Sequence, residues 1–277
     1  MIRWALFFGL GIPVTALFSA LALAGGLLGA PKGWFDWIHR TWSRLQLRLG
    51  GVEVVTEGTE HLRPEGPQVL AVNHQSLLDI LALFAALPVS LRFVAKQELS
   101  RWPVFSGAME RAGHVFIDRA DRRQAVEAMR RAGGRMGREG LSLAVFPEGT
   151  RSADGRLRRF RRGAFSLAIE TGAELVPVAV EGGFELLPRG ARRLRPGTLR
   201  IRCAEPVPLA GRDREDRDRV LRSTREAIAD MLEEMRGEAG AGRQVPVGDR
   251  READDSGGLG YADGAREREN AAGPGGG

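Results

Sequence analysis

Hydrophobic and polar positions divide the chain into three regimes. Between Arg3 and Lys32 no residue is charged, and Leu, Ala, Phe, Val and Gly dominate. A bilayer-spanning helix needs about 20 apolar residues, so this run reads as a retained membrane segment. Its apolar core is longer than a signal-peptide h-region, and no small-x-small site follows it. Pro13 and Gly25-Gly26 are places where it could break into a shallow hairpin. From residue 33 to 49 the period becomes helical. Trp34, Phe35, Trp37, Ile38, Trp42, Leu45 and Leu49 share one side; Arg40, Arg44 and Arg48 share the other. That is the pattern of a helix lying in a membrane interface. A helix docked on a protein core would show it too.

After Gly50-Gly51, short apolar runs alternate with longer amphipathic ones. Strands are predicted at 52–56, 68–72, 91–95, 114–117, 141–146, 174–180 and 198–203. Helices are predicted at 77–87, 100–111, 122–139, 164–171 and 214–235. The alternation predicts an α/β domain with a mostly parallel central sheet covered by helices. Pro177, inside a strand pattern, should mark an edge, a bulge or a strand end. Residues 237–277 are rich in Gly and charge and read as a disordered tail. The expected organisation is a membrane-associated segment at 1–49, the α/β domain at 50–236 and the tail.

The tail carries five Arg against eight Asp or Glu, a net −3, so within a total of +6 the body at residues 1–236 carries +9. A basic body suits an anionic partner: a phosphate-bearing substrate, an anionic membrane surface or nucleic acid. Arg and Lys just after the apolar segment place the domain on the cytoplasmic side by the positive-inside rule. The one cysteine, Cys203, permits no disulfide within the chain and reads as a packing residue.

Candidate chemistry gathers where strands are predicted to end. Asn73-His74-Gln75-Ser76-Leu77-Leu78-Asp79 joins a strand to a helix. His74 can serve as a base near neutral pH, and Asp79 can fix its tautomer. The pair can meet only if His74 lies before the helix and Asp79 reaches back from its first turn. The plainer reading makes Ser76 a helix N-cap and Asp79 the end of a capping box. A second strand ends in Asp118-Arg119, where Arg119 can offer a planar fork to phosphate. A third leads into Phe146-Pro147-Glu148-Gly149-Thr150-Arg151-Ser152, a constrained turn whose free N–H groups near Gly149, with Thr150 and Arg151, make a plausible anion cradle. Parallel strands bring such ends to one edge.

The chain resembles the glycerolipid acyltransferases, in particular the bacterial 1-acyl-sn-glycerol-3-phosphate acyltransferases, over roughly residues 50–210. The matching blocks are N-H-x-S-x-x-D (Asn73 to Asp79), F-I-D-R (Phe116 to Arg119), F-P-E-G-T-R-S (Phe146 to Ser152) and V-P-V (Val176 to Val178). Lys96-Gln97-Glu98-Leu99 is similar to the segment that precedes the second block. Arg161-Arg162-Gly163 stands where the family has K-K-G, which keeps charge but changes donor geometry. The resemblance implies the glycerolipid acyltransferase fold and transfer of an acyl chain to the sn-2 hydroxyl of lysophosphatidic acid, giving phosphatidic acid for phospholipid biosynthesis. The donor would be acyl-CoA or acyl-carrier protein, with no cofactor and no metal. His74 and Asp79 would be catalytic; Lys96, Arg119, Glu148, Gly149, Thr150 and Arg151 would bind substrate. The setting would be the cytoplasmic face of the inner (plasma) membrane, with a lipid and not a nucleic acid as partner. Alternatives are another lysolipid acceptor, such as lyso-ornithine lipid or lysophosphatidylethanolamine, a hydrolase using Ser76 although no G-x-S-x-G elbow is present, or a basic membrane or nucleic-acid binder.

Overall fold

A computed structural model describes residues 6–118, 121–191, 193–209 and 216–241. Seven strands form one sheet: β1 (Val52–Glu57), β2 (Gln68–Val72), β3 (Leu91–Lys96), β4 (Val115–Ile117), β5 (Ser142–Val145), β6 (Glu174–Glu181) and β7 (Gly197–Cys203). Their order is β1-β7-β6-β2-β5-β3-β4. The five strands from β6 to β4 are mutually parallel, and β7 runs antiparallel to β6. The expected mostly parallel sheet is thus present.

The helices are α1 (Gly11–Leu27), α2 (Lys32–Gly50), α3 (Leu78–Ala86), α4 (Pro103–Ala112), α5 (Arg122–Glu139), α6 (Gly163–Thr171), the single turn α7 (Gly183–Leu186) and α8 (Arg217–Ala241). Central strands are buried on both faces, which is why they read as unbroken apolar runs. Leu70 and Val72 of β2 face a core with α2 and α3. Val69 and Ala71 face a second core with α5, α6 and Val220 of α8. Cys203 is buried and its thiol is pushed up to about 12 by burial, in keeping with a packing role. Helix α8 continues past residue 237, the expected start of the tail, to Ala241. Residues 242–277 lie outside those described.

Pro177 sits on an interior strand, between β2 and β7. Val178 pairs with Cys203 and Leu175 with Val207, so three steps on β6 face four on its partner. The extra residue is a bulge, and the missing N–H falls where the regular ladder stops.

The N-terminal run, Leu6–Leu27, is long and apolar enough to cross a membrane. It begins with a π-helical turn, Leu6–Leu10, and breaks at neither Pro13 nor Gly25-Gly26. The glycines admit close neighbours instead: a Cβ on Gly25 would lie 2.2 Å from Trp34 Nε1, and one on Gly26 2.5 Å from the Arg111 side chain. The chain reverses through residues 28–31, so α1 and α2 form a helical hairpin. Helix α2, expected at a membrane interface, is docked on the domain through one side. Arg44 Nε and Arg40 Nη2 donate to the Ala85 and Leu87 carbonyls at the end of α3, at 3.2 and 3.4 Å. Phe35, Ile38 and Leu47 are buried, while Trp37 and Leu45 stay exposed.

Candidate active site

β2 and β5 are neighbours, so the loops leaving their C-terminal ends lie side by side. Asn73 ends β2 by clipping it to β6: its Nδ2 donates to Val180 O at 2.8 Å, and its Oδ1 accepts from Val180 N at 2.7 Å. His74 follows in the turn, before α3. Asp79 reaches back from the first turn of α3, and its Oδ2 lies 2.8 Å from His74 Nδ1. The same oxygen accepts from the backbone N–H groups of Gln75 and Ser76, at 2.7 and 2.8 Å. An oxygen that accepts from all three partners leaves the imidazole proton on Nδ1 and the basic lone pair on Nε2.

Both sequence readings of this stretch therefore hold together. Asp79 orients the imidazole and also bonds the Ser76 N–H as a capping box requires. Ser76 Oγ accepts from Leu78 N at 3.2 Å and donates to Leu187 O at 2.7 Å, a cap and a tether. Such a hydroxyl, fully buried, is poorly placed as a nucleophile.

The loop after β5 holds the His74 backbone from both sides. Glu148 Oε1 accepts from His74 N at 2.7 Å, and Ser152 N donates to His74 O at 2.8 Å. Phe146 stacks on the imidazole with centroids 3.8 Å apart. Burial raises the Glu148 carboxyl above its ordinary range, against the pull of the His74 and Arg158 N–H groups. Its Oε2 accepts from Arg158 N at 3.0 Å, so Glu148 braces the two loops against each other. Of the expected cradle near Gly149, Thr150 and Arg151 line the cavity described below, while the Gly149 N–H itself points into its own turn. It donates to Phe146 O at 2.9 Å, closing the turn. Gly149 has φ +76°, and a Cβ there would stand 2.8 Å from Arg161 Nε. Arg161, the first residue of the stretch that stands where the family has K-K-G, thus packs over this turn.

His74, Lys96, Thr150 and Arg151 all line one cavity of about 420 Å³. Lys96 is exposed at the end of β3, with Glu98 3.3 Å away. The Arg151 guanidinium is lowered first by burial and then by repulsion from Arg189, and raised by Asp79. Arg119 lies outside the described residues. Where α1 to α4 contribute, the lining is mostly apolar, with Phe18, Ile38, Ile80, Phe84 and Phe105 beside Thr15 and Ser19. His39 and His114 also line it, joined at 3.2 Å. Burial lowers His114 to about 3 and His39 well below its ordinary value, so neither competes with His74 as a base at neutral pH.

Comparison with known proteins agrees with this geometry. Residues 53–181 match the family model described as Acyltransferase. A 1-acyl-sn-glycerol-3-phosphate acyltransferase of Chlamydomonas reinhardtii is 35% identical over 182 residues, covering 65% of this chain and 53% of that protein. The human 1-acyl-sn-glycerol-3-phosphate acyltransferase alpha is 32% identical over 188 residues, covering 68% of this chain and 66% of that one. The crystal structure of the 1-acyl-sn-glycerophosphate (LPA) acyltransferase PlsC from Thermotoga maritima superposes with TM-score 0.73 at 25% identity, covering 84% of this chain and 95% of that one. The chain belongs to the glycerolipid acyltransferase family. It spans between about half and two-thirds of the length of these curated relatives.

Several residues of the candidate site escaped sequence reasoning. Arg189 lines the cavity from a turn after α7 and carries no motif. Gly183 is forced by close approach, since a Cβ there would lie 2.6 Å from Asp79 Oδ1. Behind the His74 loop, Gln75 Nε2 bonds Gly155 O and Glu181, and Arg236 of α8 bonds the same two groups. Nothing local in sequence marks these residues, because each owes its place to an element more than 70 residues away.

Proposed function

We propose that this acyltransferase moves an acyl chain from a thioester, acyl-CoA or acyl-carrier protein, to the sn-2 hydroxyl of 1-acyl-sn-glycerol-3-phosphate, giving phosphatidic acid. The observation that carries the reading is an imidazole with a basic Nε2 on the wall of a cavity that is cationic beside the strand ends and apolar between the helices. His74 Nε2 removes the hydroxyl proton as oxygen adds to the thioester carbon. The tetrahedral intermediate expels the thiolate, and the proton on the imidazolium leaves with it. Asp79, 2.8 Å from Nδ1, stabilises the cation that forms. No group beyond the donor's own thioester is needed. Each methylene held in the apolar part contributes about 0.8 kcal/mol to binding, so the cavity suits a fatty chain. Arg151, Thr150 and Lys96 receive the acceptor's phosphate.

Leu6–Leu27 and the exposed Trp37 and Trp102 support work at a membrane surface. The reading assigns that surface to the cytoplasmic face of the plasma membrane, because Arg and Lys follow the apolar segment. The test is a panel of lysolipid acceptors in vesicles, run on the full chain with both CoA and carrier-protein donors. Lysophosphatidate should be turned over fastest. Arg151→Ala should raise its KM more than that of the donor. A preference for lyso-ornithine lipid or lysophosphatidylethanolamine would overturn the acceptor assignment, and release of free fatty acid without acceptor would overturn transfer.

A further inference from the structure

One cation at the cavity belongs to none of the sequence blocks. Arg189 lines it together with His74, Thr150 and Arg151. It occupies the second position of the turn Pro188-Arg189-Gly190-Ala191, closed by Ala191 N donating to Pro188 O at 3.1 Å. Gly190 follows at φ +81°, the left-handed conformation that the third position of a type II turn demands. The base of this turn is fastened to the catalytic loop, for Ser76 Oγ donates to Leu187 O at 2.7 Å and both residues are buried. Arg189 is therefore presented from a braced backbone.

Arg189 and Arg151 line the same cavity, and repulsion from Arg189 adds to burial in lowering the Arg151 guanidinium. Neither is hydrogen-bonded or ion-paired to a carboxylate among the described residues. Two like charges facing one cavity, with no carboxylate bonded to either, gain when a ligand brings negative charge between them. Guanidinium forks match phosphate oxygens, and a phosphate monoester carries close to two charges above pH 6 where a diester carries one.

We propose that Arg189 is a substrate-binding residue which, with Arg151, forms a two-armed clamp for a phosphate monoester on the acyl acceptor and so discriminates monoester from diester headgroups. The inference rests on the acceptor reading above. Phosphate could also arrive on the donor, as in CoA, and the experiment separates the two sources.

Steady-state kinetics are measured on the full chain carrying Arg189→Ala, Arg189→Lys or, as a control, Arg195→Ala, an exposed arginine that does not line the cavity. The acceptors are lysophosphatidate and lysophosphatidylglycerol. Loss of a charge-assisted bond should raise the lysophosphatidate KM about tenfold or more. The donor KM should stay within about twofold, and the preference for monoester over diester should shrink by the same factor as the acceptor KM rises. Arg189→Lys should recover part of the loss, and Arg195→Ala should show none. An unchanged lysophosphatidate KM in Arg189→Ala, or a rise confined to the donor, overturns the clamp while wild-type turnover of lysophosphatidate leaves the acceptor reading standing. A wild-type enzyme that accepts only diester lysolipids overturns both.

Discussion

Replacing Asp79 by Asn isolates what the carboxylate charge does. The side chain keeps its size. With its oxygen toward the loop it still accepts from Gln75 N and Ser76 N, now at 2.7 and 2.8 Å. The reverse orientation would set an NH2 against two N–H donors, so it is disfavoured. The amide nitrogen must then occupy the place of Oδ1, which is buried and has no hydrogen-bond partner. That costs about 1–3 kcal/mol of stability. The imidazole keeps its proton on Nδ1, and only the charge beside it is gone. A charge pair at 4 Å and an effective dielectric constant of 20 is worth about 4 kcal/mol, and each 1.36 kcal/mol of barrier is about tenfold in rate. Asp79→Asn should therefore lower kcat by about three orders of magnitude. The assay follows thiol release from acyl-CoA with and without lysophosphatidate, and denaturant unfolding checks the fold. A variant with kcat within tenfold of wild type would refute the role assigned to the carboxylate.

Three further predictions follow from the same geometry. His74→Ala removes the base and should cost about 10³-fold or more in rate while circular dichroism and vesicle binding stay as in the wild type; near-normal turnover would exclude His74 as the sole base. Gly183→Ala places a methyl 2.6 Å from Asp79 Oδ1 and should reduce kcat by displacing the carboxylate, an effect absent if kcat is unchanged in a folded variant. Asp36→Ala strips the partner, 2.7 Å away, from Arg92, a guanidinium 1% exposed at the start of β3. Urea unfolding should show a loss of about 3–5 kcal/mol, and a loss below 1 kcal/mol would mean that Arg92 finds another counter-charge.

The strands and helices of the α/β domain were legible because burial on two faces leaves a plain signature. Gln68–Val72 and Arg122–Glu139 emerge with the expected bounds, and the other elements shift by a few residues at their ends. Helix α2 was harder. An amphipathic period says that a helix has an apolar face but not whether lipid or protein covers it. Arg40 and Arg44 turned out to meet the end of α3. The loop Phe146 to Ser152 was legible as a candidate site, but its internal bonding was not. Glu148 and the Gly149 N–H are consumed in holding His74 and closing the turn, a use that depends on β5 lying beside β2.

By itself the sequence determined the chemistry available at each strand end: an imidazole and a carboxylate five residues apart, a glutamate in a tight turn, arginines ready for phosphate. These are local facts, set by residue type and spacing. Which of them share a cavity was decided only when β2, β5 and β6 came together, because strand order carries contacts between residues a hundred positions apart. Arg189 shows the difference most plainly. As sequence it is one arginine among many. The tether from Ser76 to Leu187 brings its turn to the His74 loop, and there it lines the same cavity as His74 and Arg151.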